Sequence, residues 1–176
     1  RYLIVFQNHH ELRPTGGFMG SFAVLDVQKG KILNIDVPGG GTYDLRGQLS
    51  RFVKPPLPLQ IVNPRWEFQD ANWFPDFAAS AQKMAWFYEN ARGATVDGVI
   101  AVNASVLERV LRVLGPVAAD NVLFAQDDAL AQLQQKVEVD ESGQPKEVLA
   151  EILHELILTL QALDPNSIFG LLTELH

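Results

Sequence analysis

The sequence predicts an α/β fold, a mixed central β-sheet flanked by helices, with residues 1–176 forming one domain. Three observations predict it. Short apolar runs rich in β-branched residues occupy positions 2–6, 21–27 and 31–37; helical periodicity begins after Asp76; and a further apolar run at 96–102 leads directly into another helical pattern. Length and composition agree, because 176 residues with 47% hydrophobic and 20% charged side chains suffice for a sizeable core.

The first two strands are joined by Gln-Asn-His-His-Glu-Leu-Arg-Pro-Thr-Gly-Gly-Phe-Met-Gly at 7–20, far more than the few residues a hairpin needs. Arg13 brings a planar fork of donors suited to phosphate or carboxylate, and Gly16, Gly17 and Gly20 permit close backbone approach or positive φ. Two readings stand side by side: a ligand site, or a structural loop in which the glycines serve turns and Arg13 is solvated or paired with Glu11. Gln28-Lys29-Gly30 then turns the second strand into the third as a hairpin.

Residues 38–75 form a long irregular loop that starts at Pro38-Gly39-Gly40-Gly41 and carries prolines at 55, 56, 58 and 64 and aromatics from Tyr43 to Phe74. A loop this long in a compact domain usually has a function, so it is expected to cover a groove as a lid or wall; the alternative is a packing cover for one sheet edge. Trp66 and Trp73 are candidates for stacking on sugars or for burial.

Asp76 caps a helix reaching about Ala91, with Phe77, Ala81, Met84, Ala85 and Tyr88 at helical spacing and Gly93 beyond its end. After the strand at 96–102, a helix starts at Asn103 or Ser105, carries Val106, Val110, Val113 and Leu114, and stops at Gly115-Pro116. A short strand at 122–124 and amphipathic helices at 126–135 and 146–163 follow; Asp164-Pro165 breaks the last, and 168–175 adds a final helical turn or two. The apolar side of these last helices implies either a domain truncated at its C-terminus or a dimer face. Arg1, set directly in a strand, reads as the start of a piece cut from a longer precursor.

Several chemistries are excluded. A net charge of −7 argues against broad contact with nucleic acid, and the absence of cysteine removes disulfides and thiolate metal sites. The four histidines lack zinc-site spacing, and neither a nucleophile elbow nor a Walker-type or dinucleotide-binding glycine loop is present. What remains is a set of polar loop residues that can converge on one mouth: Gln7, Asn8, Glu11, Arg13, Asp44, Arg46, Arg51, Arg65, Asp70, Asn72 and Asp76. Arginines and carboxylates beside the Gly16-Gly17 backbone are the parts for holding phosphate or pyrophosphate, with Asp44 or Asp70 available for magnesium.

Three stretches, Glu-Leu-Arg-Pro-Thr-Gly-Gly-Phe-Met-Gly-Ser (11–21), Asp-Ala-Asn-Trp-Phe-Pro-Asp-Phe (70–77) and Val-Asp-Gly-Val-Ile-Ala-Val-Asn (96–103), resemble a bacterial family known as domain of unknown function 4012. That resemblance implies an extracytoplasmic envelope domain, membrane-anchored in the full-length protein by a segment outside this sequence. A more distant similarity is to the LytR-CpsA-Psr family, which transfers glycopolymers from polyprenyl-pyrophosphate carriers. Val96–Val117 resembles its strand-helix segment, Asp70-Ala71-Asn72 its Asn-Ala motif, and Val37-Pro38-Gly39 the strand that ends in Ile-Pro-Arg-Asp. Gly39-Gly40 stands where those enzymes carry Arg-Asp, and Gln7-Asn8 replaces a Gly-x-Asp whose carboxylate helps hold magnesium.

The second resemblance implies binding of a polyprenyl-pyrophosphate lipid or glycan in a groove apolar enough for an isoprenoid tail, with transfer as a diverged, magnesium-dependent phosphotransferase. Arg13 and Asp70 would be catalytic; Arg13 with Arg46, Arg51 or Arg65 would neutralise pyrophosphate; Gln7, Asn8, Gly16, Gly17, Asp44 and Asn72 would line the site; and Asp44 or Asp70 would hold the metal or act as base. The alternative is a non-catalytic interaction or glycan-binding module on the same scaffold.

Overall fold

A computed structural model describes residues 1–92, 94–139 and 146–175, which fall into two compact units, Arg1–Val102 and Asn103–His176. The fold is mixed α/β. Strands β1 (Tyr2–Asn8), β2 (Phe18–Gln28), β3 (Lys31–Asp36) and β4 (Gly98–Asn103) form a mixed four-stranded sheet ordered β3-β2-β1-β4. β2 pairs antiparallel with both β1 and β3.

The first connection is shorter than the run of polar residues suggested. Pairing continues past a register shift at Phe6/Gln7 to match Gln7 with Met19 and Asn8 with Phe18, so the loop is only residues 9–17. A bulge lets the backbone ladder outlast the apolar pattern. At the next turn Lys29 and Gly30 both have positive φ, 52° and 74°, the conformation that matches a two-residue hairpin to the strand twist.

Helix α1 (Phe77–Arg92) begins where Asp76 Oδ1 accepts the Ala79 N–H at 2.8 Å, satisfying one of the donors left open at a helix start. Its Met84, Phe87 and Tyr88 pack with Leu3 and Val5 of β1 and Phe22 of β2. The 38–75 segment completes that core rather than hanging free: its three 3-10 turns, Gly41–Leu45, Leu57–Ile61 and Phe68–Asp70, help bury Leu45, Leu49, Leu59, Trp66, Phe68 and Ala71. Trp66 meets Phe87 edge to face at 5.4 Å, and its Nε1–H donates to the Asp70 carbonyl at 2.9 Å. Its ring is therefore committed to the core, while Trp73 is half-buried against the same cluster.

The second unit contains α2 (Ser105–Leu114), a hairpin of β5 (Val117–Ala119) and β6 (Val122–Phe124), α3 (Ala129–Val139), α4 (Glu147–Gln161) and α5 (Pro165–Leu175). β5 is an element the sequence reading lacked, since three residues carry too little pattern; it forms because Asp120 and Asn121 adopt φ of 45° and 58° and fold it onto β6. The buried residue of α2 is Leu111, flanked by Leu107, Val110 and Leu114, rather than the Val106 and Val113 face. Gly115, at φ 85°, ends α2 by donating its N–H to the Leu111 carbonyl at 2.9 Å. The helix stop expected at Gly93 lies outside the described residues.

Candidate functional site

Period-two alternation carries β1 into the site. Leu3 and Val5 lie on its buried face, and Gln7, next in the row, is only 2% exposed. A polar side chain in that position needs partners, and Gln7 Nε2 donates to Thr15 Oγ1 at 3.0 Å. Thr15 Oγ1 in turn reaches the Asn72 carbonyl at 3.4 Å, and Asn72 Nδ2 donates to the Gly17 carbonyl at 2.7 Å. Through Thr15 and Gly17, Gln7 and Asn72 thus form a latch that fastens the 9–17 loop to the chain at Asn72. Gly17 is glycine because its own chain passes close by: a Cβ there would collide with the Asn8 carbonyl. Gly16 takes φ 120°, and Asn8 Oδ1 accepts the His10 N–H at 3.1 Å. Asn72 Oδ1, fully buried, has no hydrogen-bond partner.

Beside this latch the structure brings Arg13 and Asp70 together. Arg13 Nη2 lies 3.0 Å from Glu11 Oε1 and 3.8 Å from Asp70 Oδ1, Nη1 donates to the Leu12 carbonyl at 3.1 Å, and the guanidinium sits 5.0 Å from the Phe18 ring centre. Asp70 is 3% exposed, and its Oδ2 accepts from Asn63 Nδ2 at 2.7 Å. Burial pushes the Asp70 carboxyl above the ordinary value; Arg13 and the Asn63 hydrogen bond pull it back, while Glu11 and Glu67 push it further up.

A cavity of about 260 Å³ opens among Arg46, Gly47, Asn63, Pro64, Arg65, Glu67 and Gln69. Its two guanidiniums differ. Arg65 is fastened by Nη2 to the Leu49 carbonyl at 2.6 Å and the Arg51 carbonyl at 3.1 Å, with Nε 3.1 Å from Glu67 Oε1 but out of line for a hydrogen bond. Arg46 is exposed, and its side chain has no protein partner among the described residues. Glu67, 5% exposed, accepts the Gly47 N–H at 3.4 Å, and Gln69 Oε1 is buried without a donor. The lining is polar, so the apolar bed expected for an isoprenoid tail is not in this cavity. Pro64 is its one apolar side chain.

The remaining expected site residues are engaged elsewhere. Asp44 Oδ2 accepts the Gly40 N–H at 3.0 Å and so closes its own turn. Arg51 donates from Nη2 to Asn90 Oδ1 at 3.1 Å and lies 5.2 Å from the Trp86 ring centre. Among the described residues no three His, Cys, Asp or Glu side chains cluster, and Asp70, the most buried carboxylate, faces the Arg13 guanidinium at 3.8 Å. Glu67, Gln69 and Asn63 were not among the expected residues. Their signal was the alternation of polar side chains with Trp66 and Phe68 in a segment that buries both aromatics, which forces the polar ones to find partners or a cavity.

Fold and site together define a mixed α/β protein with a polar, arginine-lined cavity walled by one long loop. The chain belongs to the family described as protein of unknown function (DUF4012), whose model matches residues 1–137. No curated protein and no solved structure matches it. Among the described residues no helix is long and apolar enough to cross a membrane.

Proposed function

We propose that this chain recognises the phosphate or pyrophosphate group of a polyprenyl-linked lipid or glycan at the bacterial envelope, and that it binds this ligand without transferring it. The observation that carries the reading is the cavity, in which an unpaired Arg46 and a fastened Arg65 converge. Guanidiniums match phosphate oxygens with paired donors, and the Glu67 carboxylate in the lining is an acceptor for a sugar hydroxyl. At about 260 Å³ the space suits a phosphate with one sugar ring better than a prenyl chain. The extracytoplasmic setting, the membrane anchor and the carrier lipid rest on the resemblances at 11–21, 70–77 and 96–117.

Binding is favoured over transfer because the transfer groups are committed. Arg13 is held by Glu11 and Asp70, and Asp44 closes a turn. The rival reading, a diverged phosphotransferase, has one observation in its favour: a buried Asp70 with a raised carboxyl suits a general base. A phosphorus NMR time course with a short polyprenyl pyrophosphate, run with and without magnesium, separates them. Shifted ligand resonances with no phosphate release support recognition alone. Metal-dependent release that Asp70→Asn abolishes would establish the transferase instead.

A further inference from the structure

The Leu57–Ile61 turn is built inside out. Leu59 and Pro55 are buried, whereas Leu57, Ile61 and Val62 are 78%, 88% and 71% exposed and nearby Phe52 is 65% exposed. Scattered exposed apolar side chains are ordinary, but four large ones within eleven positions concentrate exposed apolar surface in one short segment. The turn is also fixed. Gln60 Nε2 donates to the Pro55 carbonyl at 2.7 Å, Leu59 N–H to Pro56 at 3.0 Å, and Asn63 N–H to Leu59 at 2.9 Å, while Pro55, Pro56 and Pro58 restrict the backbone. A floppy loop would hide its apolar residues by collapse; this one holds them outward.

Charge says what the segment meets. Between Asp44 and Glu67 the chain carries Arg46, Arg51, Lys54 and Arg65 and no acidic residue; Arg65 is paired with Glu67 at 3.1 Å, which leaves three cations without a carboxylate partner among the described residues, although the whole chain has a net charge of −7. Apolar side chains projecting from a basic segment suit an interface whose surface is anionic and whose interior is hydrocarbon. We infer that the 52–62 turn docks on an anionic lipid bilayer, with Leu57, Ile61, Val62 and Phe52 entering the headgroup boundary and Lys54 at the lipid phosphates. The docking stands independently of the cavity's ligand.

The test is flotation of the 176-residue chain with phosphatidylglycerol vesicles and with phosphatidylcholine vesicles, neither containing any pyrophosphate lipid. The chain is expected to float with the anionic vesicles and to be released by salt. Lys54→Gln should weaken binding about fivefold, the worth of one cation near such a surface. Leu57→Ser with Ile61→Ser should weaken it at least about tenfold with an unchanged melting temperature, since both side chains are exposed in the free protein. Wild-type protein that is folded yet stays unbound, or a double variant that floats like the wild type, would overturn the inference. Dimers of the wild type that the double variant does not form would overturn it too, by assigning the segment to a second copy. Because the vesicles lack the proposed ligand, none of these outcomes bears on the cavity.

Discussion

Arg13 Nη2 stands 3.8 Å from Asp70 Oδ1, and Asp70 is 3% exposed. An ion pair that places one partner inside the protein loses more when it is broken than it gains when it is made, because the survivor keeps its desolvation cost. Arg13→Ala is therefore expected to lower stability by about 1–2 kcal/mol at neutral pH, less than a fully buried pair, because Arg13 is a quarter exposed and Asn63 still donates to the carboxylate. The urea midpoint measures it.

The same carboxyl predicts a pH dependence. Burial raises the Asp70 value in the folded chain above that of the unfolded chain, so the folded state holds the proton more tightly. Its ionised form then costs stability at pH above the folded value, and that cost vanishes as pH falls below the ordinary carboxylate range. Asp70→Asn, which keeps an acceptor for Asn63, should be most stabilised relative to wild type at neutral pH, with the difference closing on acidification. Thermal melts across the acid range check this, and a difference that grows as pH falls would contradict it.

The loop glycines separate by mechanism. Gly17→Ala places a Cβ against the Asn8 backbone carbonyl, which cannot swing away, and should cost about 1–3 kcal/mol. Gly30→Ala meets open space but keeps φ at 74°, so only conformational strain applies, about 1 kcal/mol. Denaturant titration of the two variants should rank them in that order.

Asn72→Ala removes the donor to the buried Gly17 carbonyl and should cost about 1–3 kcal/mol. Its loss is expected to show first as faster hydrogen exchange in the 9–17 loop, which Asn72 fastens to the core.

How far the sequence could be read follows from these residues. The four strands of the larger sheet and α1 were legible because periodicity and the Asp76 cap are local signals, and the cap forms as read, Asp76 Oδ1 to Ala79 N–H at 2.8 Å. The fates of Gln7, Gly17 and Asn72 were not, because Gln7 takes Thr15 as its partner and Asn72 takes Gly17, 55 residues away, and only folding reveals those pairs. The same holds for Arg65, which looks like any surface arginine until Leu49 and Arg51 present their carbonyls to it. Arg46 differs in the opposite sense: nothing in the described fold uses its side chain.

That contrast gives the most direct test of cavity recognition. A short polyprenyl pyrophosphate is titrated calorimetrically into wild type and Arg46→Ala, with the melting temperature of each measured in parallel. Recognition through the cavity predicts saturable binding by wild type and a loss of about 1.5–3 kcal/mol of binding free energy in Arg46→Ala, the worth of a hydrogen bond to a charged group, with no change in melting temperature. Equal binding by the two proteins, or no binding by a folded wild type, would contradict it.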